Sequence, residues 1–374
     1  MLKGINLTLL IGPAIPVPAP KMVMDALTSV QVNSSTDRTG FQLTFAVSKV
    51  SSLLKTMLPA GYFDPMVTRV IIIVTVAGMP NVLMDGIVTR QEISPSSEPG
   101  QSTLTITGED LSVLMDVIQV QRSFPGMPYT AQIYTILAPY AAFGVIPIVI
   151  PPFIELFQSP TSRYDNQNST DLEYIRLLSS NCGYVFYVEP GPAPGSSIAY
   201  FGPDIRIPYP QPALSANMDA HTNVESLSFS LDGLAKQIMV VNVFEPATRR
   251  IPIPIPVPNI NIFRPPLGAR PTVPAKLEYA DNVATEPPEH AARLILGRLL
   301  RATEAISGNG SLDVLRYGRV LRSRQLVGVR GAGLAYDGMY YVNSVTHNIK
   351  RGEYKQNFTL SRDGLISQTP RVVP

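Results

Sequence analysis

Apolar and polar residues alternate along this chain in short bursts, and two of the bursts echo one another: Ser102-Thr-Leu-Thr-Ile-Thr-Gly-Glu-Asp-Leu111 and Gln356-Asn-Phe-Thr-Leu-Ser-Arg-Asp-Gly-Leu365. Period two over that length predicts a strand, and the acidic and glycine residues that close it predict a turn. Another strand lies upstream of each, at Asp85–Arg90 and Gly338–Lys350, so each pair reads as an antiparallel hairpin. The echo reaches further back. Ser29–Asn33 followed by Gly40–Val47 resembles Ser226–Ser230 followed by Ala235–Val243, each read as two strands joined by a polar turn. Two copies of one β unit predict two related domains.

The copies differ in length. Ser29 to Asp85 spans 56 positions and Ser226 to Gly338 spans 112, so the second copy carries roughly 56 extra residues, placed between Glu245 and about Gly308. That stretch opens with Ile251-Pro-Ile-Pro-Ile-Pro-Val-Pro258. Every second residue there lacks a backbone donor and has a fixed φ, which predicts polyproline II rather than sheet, serving as a stiff spacer or as a ligand for a proline-reading domain. From Glu289 to Ile306 the apolar positions Ala292, Ile295, Leu296, Leu299, Ala302 and Ile306 recur at helical spacing behind Pro287 and Pro288, predicting an amphipathic helix.

Between the copies the texture changes. Thr130 to Ala138 reads as a short helix stopped by Pro139, followed by a proline-rich loop through Pro160. Thr170-Asp-Leu-Glu173 has the spacing of a capping box and opens a helix carrying Leu172, Ile175 and Leu178. Tyr184–Val188 then pairs with Ile198–Phe201 across the turn from Pro190 to Ser197. This is a small α+β module.

Composition narrows the class. The chain has 374 residues, 45% of them hydrophobic, which is ample for buried cores. Formal charge is +2 with 16% charged residues, against about 25% in an average soluble protein, and no basic cluster points to nucleic acid or an acidic membrane surface. Low charge density together with 36 prolines fits a surface that meets other subunits. Ile5–Ile11 behind Lys3 has the apolar character of a signal peptide but alternates with polar residues, and Pro13, Pro16, Pro18 and Pro20 follow, so a first strand is the reading. No apolar run approaches the ~20 residues of a helical membrane span, and Val70–Val76 is a strand-length, β-branched run. A single cysteine, Cys182, forms no intrachain disulfide, and synthesis and folding in the cytoplasm are expected.

Catalytic chemistry is sparse. The three histidines, His221, His290 and His347, stand far apart, and neither HExxH nor CxxC spacing occurs. His290 sits near the start of the predicted helix and reads as surface; His347 lies in the last hairpin and reads as structural or interfacial. Glu109-Asp110 form a carboxylate pair of the kind glycosidases use, but they end a strand where Asp363 ends its counterpart, and a turn role accounts for them. Gly331-Ala-Gly333 has no helix behind it and reads as a hairpin bend. The expectation is no catalytic residue, no cofactor and no metal ligand.

The ending Tyr336-Asp-Gly-Met-Tyr-Tyr-Val-Asn-Ser-Val-Thr-His347, followed by Gly352–Arg362, resembles the C-terminal hairpin of the baseplate hub proteins of contractile phage tails. These are the late control protein D group, related to the hub portion of type VI secretion spike proteins and of extracellular contractile injection systems. Gly12–Pro20, the Ser29 strand and the Leu104 to Leu111 ending are also similar to that family. The resemblance implies a mainly β fold with an α+β insertion, in which two tube-like antiparallel β-barrels are related by internal duplication. The divisions expected are residues 1–119 for the first barrel and 120–215 for the α+β module. Residues 216–245 would form the first strands of the second barrel, 246–308 the inserted proline-rich linker and helix, and 309–374 the rest of that barrel. It further implies a homotrimer, so that six barrels meet a six-fold inner tube above and a three-fold spike below, with a central channel for cargo or DNA. Nine residues follow Leu365, so the spike is expected as a separate polypeptide; neither a lysozyme insertion nor a LysM-like module is read. Met57–Val67, which contains Pro59 and Pro65, and the proline linker are candidates for peripheral contacts. Two other classes stay open: an oligomeric adhesin or capsid-like β protein, and a cell-wall glycosidase with two carboxylates in one cleft.

Overall fold

The computed structural model describes residues 4–13, 15–36, 39–98, 101–155, 165–205, 210–244, 252–257, 264–280, 293, 295–297 and 304–368. The first unit runs β1 (Ile5–Gly12), β2 (Val17–Pro18), helix α1 (Lys21–Ala26), β3 (Leu27–Ser35), β4 (Thr39–Val47), a π-helical turn at Leu53–Met57, β5 (Arg69–Val76), β6 (Met79–Ser94) and β7 (Ser102–Asp110). Strand β4 shows why the pattern folds this way: Phe41, Leu43, Phe45 and Val47 face the core while Gln42 and Ala46 face out. Strand β5 is buried on both faces. Val70, Ile72, Val74 and Val76 enter the main core, whereas Ile71 and Ile73 join a small cluster with Val82. The N-terminal apolar run is thus a strand, paired along its whole length with β5.

A 3₁₀ turn at Leu111–Asp116 leads into the α+β module, formed by β8 (Gln119–Phe124), α2 (Tyr129–Leu137), a 3₁₀ segment at Ala138–Phe143, β9 (Val145–Val149), β10 (Asp165–Thr170), α3 (Asp171–Cys182), β11 (Val185–Pro190) and β12 (Ser197–Gly202). The capping box is present, with the Thr170 hydroxyl accepting from the Glu173 N–H and the Glu173 carboxylate accepting from the Thr170 N–H. Gly183 closes α3 in the left-handed region at φ 70°. Strand β9 departs from the expected loop: Val145–Val149 runs parallel to β12, with Pro147 opposite Ala199. It is the edge of the sheet β11-β12-β9, where a missing donor is tolerated. Ile133, Ile136, Leu172, Ile175, Leu178 and Phe201 form the module's core.

The second unit follows with β13 (Gln211–Ser215), β14 (Val224–Leu231), β15 (Gln237–Phe244), β16 (Pro252–Val257), β17 (Gly268–Pro271), β18 (Lys276–Ala280), β19 (Ile306–Asp313), a helical turn at Val314–Tyr317, β20 (Leu326–Arg330), β21 (Gly338–Lys350), β22 (Glu353–Arg362) and β23 (Gly364–Ser367). Strand neighbours repeat between the units. The first reads β3-β4-β7-β6-β5-β1 and the second β14-β19-β22-β21-β20-β13, both within one 13-stranded sheet. One sign differs: β1 is antiparallel to β5, whereas β13 is parallel to β20.

Three expectations about the second unit are corrected. Strand β14 pairs with β19 rather than with the Ala235–Val243 strand, so everything from Asp232 to Ala305 stands where the first unit has only residues 36–38. Strand β15 belongs instead to a three-stranded sheet with β16 and β18. Pro252–Val257 is sheet, not polyproline II, because period two gathers the imide nitrogens of Pro252, Pro254 and Pro256 on one edge and the N–H groups of Ile253, Ile255 and Val257 on the other. Such a strand pairs on one side only, and β16 is an edge. Of the helix expected over 289–306, Arg293 and Ile295–Gly297 are helical, residues 289–292, 294 and 298–303 lie outside the described residues, and Ile306 opens β19.

Candidate functional site

The two units meet edge to edge along β21 and β3. Strand β21 divides its pairing: Gly338–Tyr341 lie against β20, while Ser344–Lys350 lie antiparallel to Ser29–Ser35, with His347 opposite Val32. The division follows a register shift between Val342 and Ser344, the kind of irregularity that bends a strand from one neighbour toward another. Val30, Val32, Val345 and Ile349 bury one face of the seam in the main core. Thr346 donates to Asn33 Oδ1 at 3.2 Å, and the hydroxyls of Ser34 and Ser323 lie 2.7 Å apart.

His347 is the chemically distinctive group of the seam and is fully enclosed. Its Nδ1 lies 2.8 Å from the Tyr354 hydroxyl and 3.1 Å from Gln356 Nε2. The amide of Gln356 is oriented by Leu321, whose N–H donates to Oε1 at 3.0 Å and whose carbonyl accepts from Nε2 at 2.9 Å. Nδ1 therefore accepts, and the ring proton sits on Nε2. Burial, with a smaller push from the Arg322 charge, lowers the pKa to about 3, so the ring is neutral in the folded chain.

Charged groups the sequence reading passed over lock the seam and the module together. Arg69 donates through Nε and Nη2 to both oxygens of Asp85 at 2.7 Å, both side chains being buried. Ser197 donates to the same carboxylate at 3.3 Å and Arg69 donates to the Gly195 carbonyl at 3.1 Å, tying the first unit to the β11–β12 turn. Arg324 lies 4.1 Å above the Tyr187 ring, 3.7 Å from Glu189, and donates to the Ser35 carbonyl, so one guanidinium spans both units and the module. Arg362 is fully buried; it donates to the carbonyls of Asp337 and Ala335 at 2.8 and 2.7 Å and lies over Tyr340. Nothing local marks these arginines. Arg69 opens an apolar strand and Arg362 closes one, and only their partners far along the chain explain them.

The residues weighed as chemistry do not converge. His221 ends a short 3₁₀ turn and is exposed, and His290 lies outside the described residues. Cys182 is buried, which pushes its thiol up to about 12 and leaves it a poor nucleophile. Asp110 caps the Leu111–Asp116 turn by accepting from the Ser112 N–H at 2.8 Å, and burial pushes its carboxyl up. Asp363 accepts from the N–H groups of Leu267 and Gly268, anchoring β17. Gly331 and Gly333, both with positive φ, form the bend between β20 and β21. A polar cleft of about 370 Å³ near Tyr187, Arg324 and Asn343 contains Asp204 bonded to Arg264 and Tyr341. Among the described residues no three His, Cys, Asp or Glu side chains group as metal ligands, and no helix is long and apolar enough to cross a membrane.

No family model matches the chain, and no curated protein matches its sequence. Solved structures do match its shape. A 43 kDa tail protein of prophage MuSo2 from Shewanella oneidensis aligns with a TM-score of 0.62, at 12% identity, over 96% of this chain and 99% of its own. A tail protein from Neisseria meningitidis gives a TM-score of 0.60 at 15% identity, over 97% and 98%. The chain has the fold of phage tail proteins. An Escherichia coli component of the type VI secretion system, described as structurally similar to bacteriophage T4 tail proteins, aligns with a TM-score of 0.53 at 11% identity, over 93% of this chain and 77% of its own. Coverage is nearly complete on both sides for the two tail proteins, so both units and the module belong to the tail-protein fold, the mainly β architecture that the strand patterns imply.

Proposed function

We propose that this chain is a structural baseplate hub of a contractile, phage-like tail, three copies of which join a six-fold inner tube to a three-fold spike. The observation that carries the reading is the repeated strand order, β3-β4-β7-β6-β5-β1 and β14-β19-β22-β21-β20-β13, held edge to edge in a single chain. A chain with two equivalent units is an economical converter of symmetry. Three copies closed about a three-fold axis present six similar units to the tube, while the module and the inserted sheet, present once per chain, keep three-fold character toward the spike. In this reading the units behave as two tube-like barrels around a channel for cargo or DNA, assembled in the cytoplasm into a tail particle. The work is done by surfaces rather than by catalysis. The buried, neutral His347 and the capped turn at Asp110 support that assignment, since each is occupied by a structural role.

Light scattering on the purified chain, alone and mixed with its tube and spike partners, tests the proposal. A mass of three chains, alone or on mixing, is expected. A monomer that ignores both partners overturns it, and sugar release from peptidoglycan would favour the glycosidase class instead.

A further inference from the structure

We infer that the cleft where the β5–β6 turn of the first unit meets Val314–Gln325 of the second binds a carboxylate-bearing segment of a partner protein. The charge that makes it is local and is hidden by the whole-chain figure of +2. Val314–Gln325 contains Arg316, Arg319, Arg322 and Arg324 and no Asp or Glu, so the rest of the chain, with 26 Lys and Arg against 28 Asp and Glu, carries a net −2. The corresponding stretch of the first unit, between β4 and β5, has no arginine, and the cleft therefore occurs once per chain.

Most of this segment is irregular, yet its backbone is firmly held. Tyr317, Val320 and Leu321 are buried, and the Tyr317 hydroxyl donates to the Pro212 carbonyl at 2.6 Å. The N–H and carbonyl of Leu321 are engaged by Gln356, and those of Arg322 by the Gln211 side chain at 2.7 and 2.8 Å. With these anchors turned inward, Arg316, Arg319 and Arg322 are left exposed. From the other side comes the β5–β6 hairpin, whose two-residue turn has Ala77 at φ 48° and Gly78 at φ 83°, both left-handed as a type I′ turn requires. It sets Asn81 so that its Oδ1 accepts from Arg322 Nη2 at 3.0 Å, across 241 positions of sequence. One guanidinium is thus aimed by both units.

The resulting cleft of about 300 Å³ has Arg319, Arg322 and Gln325 as donors and Val76, Met79 and Val320 as apolar walls, with no carboxylate among its described lining. Among the described residues Arg319 has neither an ion pair nor a hydrogen bond, and the Arg322 side chain bonds only Asn81, leaving most of its five N–H donors open. Glu189 feels the Arg322 charge but sits beside Arg324, outside the lining. Two open guanidinium forks in a half-apolar cleft fit a planar carboxylate with an aliphatic neighbour, which they can hold by paired hydrogen bonds. Nucleic acid is the poorer fit. The cleft offers two cations rather than a stripe, and the one aromatic ring of the segment, Tyr317, is buried where it cannot stack on a base. The inference goes beyond the hub reading and holds for the single chain.

Fluorescence anisotropy of a labelled peptide of alternating Glu and Leu, titrated with the full-length protein, tests it. Saturable one-to-one binding that weakens as salt is raised from about 50 to 200 mM is expected. Arg319→Gln, at an exposed position with no internal bond, should leave the secondary-structure spectrum unchanged and weaken binding roughly tenfold or more. Arg319→Lys, which keeps the charge but loses the fork, should restore only part of it, and Arg316→Gln, beside the cleft but outside its lining, should change it less than about twofold. A peptide with Gln in place of Glu should not bind. Equal binding of the Gln peptide, indifference to Arg319→Gln, or binding of neither peptide overturns the inference. Tighter binding of a thymidine oligonucleotide of equal charge, lost in Arg319→Gln, overturns the protein partner in favour of nucleic acid. The hub reading is judged separately, by the mass of the assembly in light scattering.

Discussion

The two repeated units keep one strand order but fill it differently. In the first, Leu43 and Phe45 on β4 pack opposite Ile106 and Leu104, and glycine appears on the neighbouring strand, where Gly108 lies beneath the Phe41 ring. In the second, the positions opposite Leu360 and Phe358 are Gly308 and Gly310, and the space is taken by the rings of Phe229 and Phe358. An aromatic ring laid across a cross-strand glycine occurs in both, on the equivalent pairs β4–β7 and β19–β22, but ring and glycine have exchanged strands. What persists through duplication is therefore the ladder of backbone pairing and a filled core. The identity of the residue that fills it is free to change, which is why the echo is weak at the level of letters and strong in strand order, with only the sense of the β13–β20 pair altered.

That comparison can be broken in stages. The largest effect is expected where the first unit has a charged lock to the module: Asp85→Ala leaves Arg69 buried without its carboxylate and should cost roughly 3–5 kcal/mol in urea unfolding. If the change were mild, the lock would have to be dispensable and the packing of Ser197 and Gly195 sufficient. Next come the two glycines. Gly108→Ala and Gly310→Ala each place a Cβ inside a ring and against a backbone oxygen, and each should cost about 2–3 kcal/mol. Equal losses would support the view that both units use one packing device, and a loss confined to one unit would show that the other has room to relax.

A smaller, pH-dependent effect separates the internal seam from the exposed strand ends. His347 is neutral when folded, with a pKa of about 3, and close to 6.5 when unfolded, so between those values the unfolded chain binds the extra proton. The stability contributed is complete above about pH 6.5 and falls as the pH drops, by about 2 kcal/mol on reaching pH 5. His347→Gln should flatten that part of the profile, measured as urea midpoints from pH 7.5 to 5; an unchanged slope would mean the ring is reached by solvent. The smallest effect belongs to the edge of β6. The Arg90–Glu92 pair is exposed, and Arg90→Ala should change monomer stability by less than about 0.5 kcal/mol.

Much of the fold could be read from local pattern. The β6–β7 and β21–β22 hairpins, the β1 strand, the capping box at Thr170 and the β11–β12 pair are all carried by patterns within a strand or by partners no more than 24 positions apart. The misreadings arose where partners are distant. Strand β14 bypasses its sequence neighbour for β19, and no local rule distinguishes Gln237–Phe244 from the strand that would follow in a simple duplicate. The alternating prolines satisfied the polyproline II rule equally well, and only the presence of a partner on one side selects sheet. Of the seam, the sequence showed His347 as a strand residue without chemistry. Arg69, Arg324 and Arg362 were illegible because an isolated arginine in a strand says nothing until its acceptor is known.

The pairing of β3 with β21 also sets a timetable for synthesis. Asn33 and Thr346, bonded across the seam, are separated by 313 positions. At about 5–20 residues per second, the ribosome needs on the order of 15–60 s after making β3 to deliver its neighbour. Throughout that interval the nascent first unit carries an open ladder of donors and acceptors, and a sister chain on the same message offers the same edge. The polar outer residues of β3, Gln31 and Asn33 among them, make that wait tolerable by leaving little apolar surface for a stranger to cover. Closure of the first unit's edge is thereby deferred until the final hairpin is complete, so a ribosome that stalls before β21 releases a product with an unfinished flank, recognisable to chaperones and proteases as a chain that was never ready to assemble.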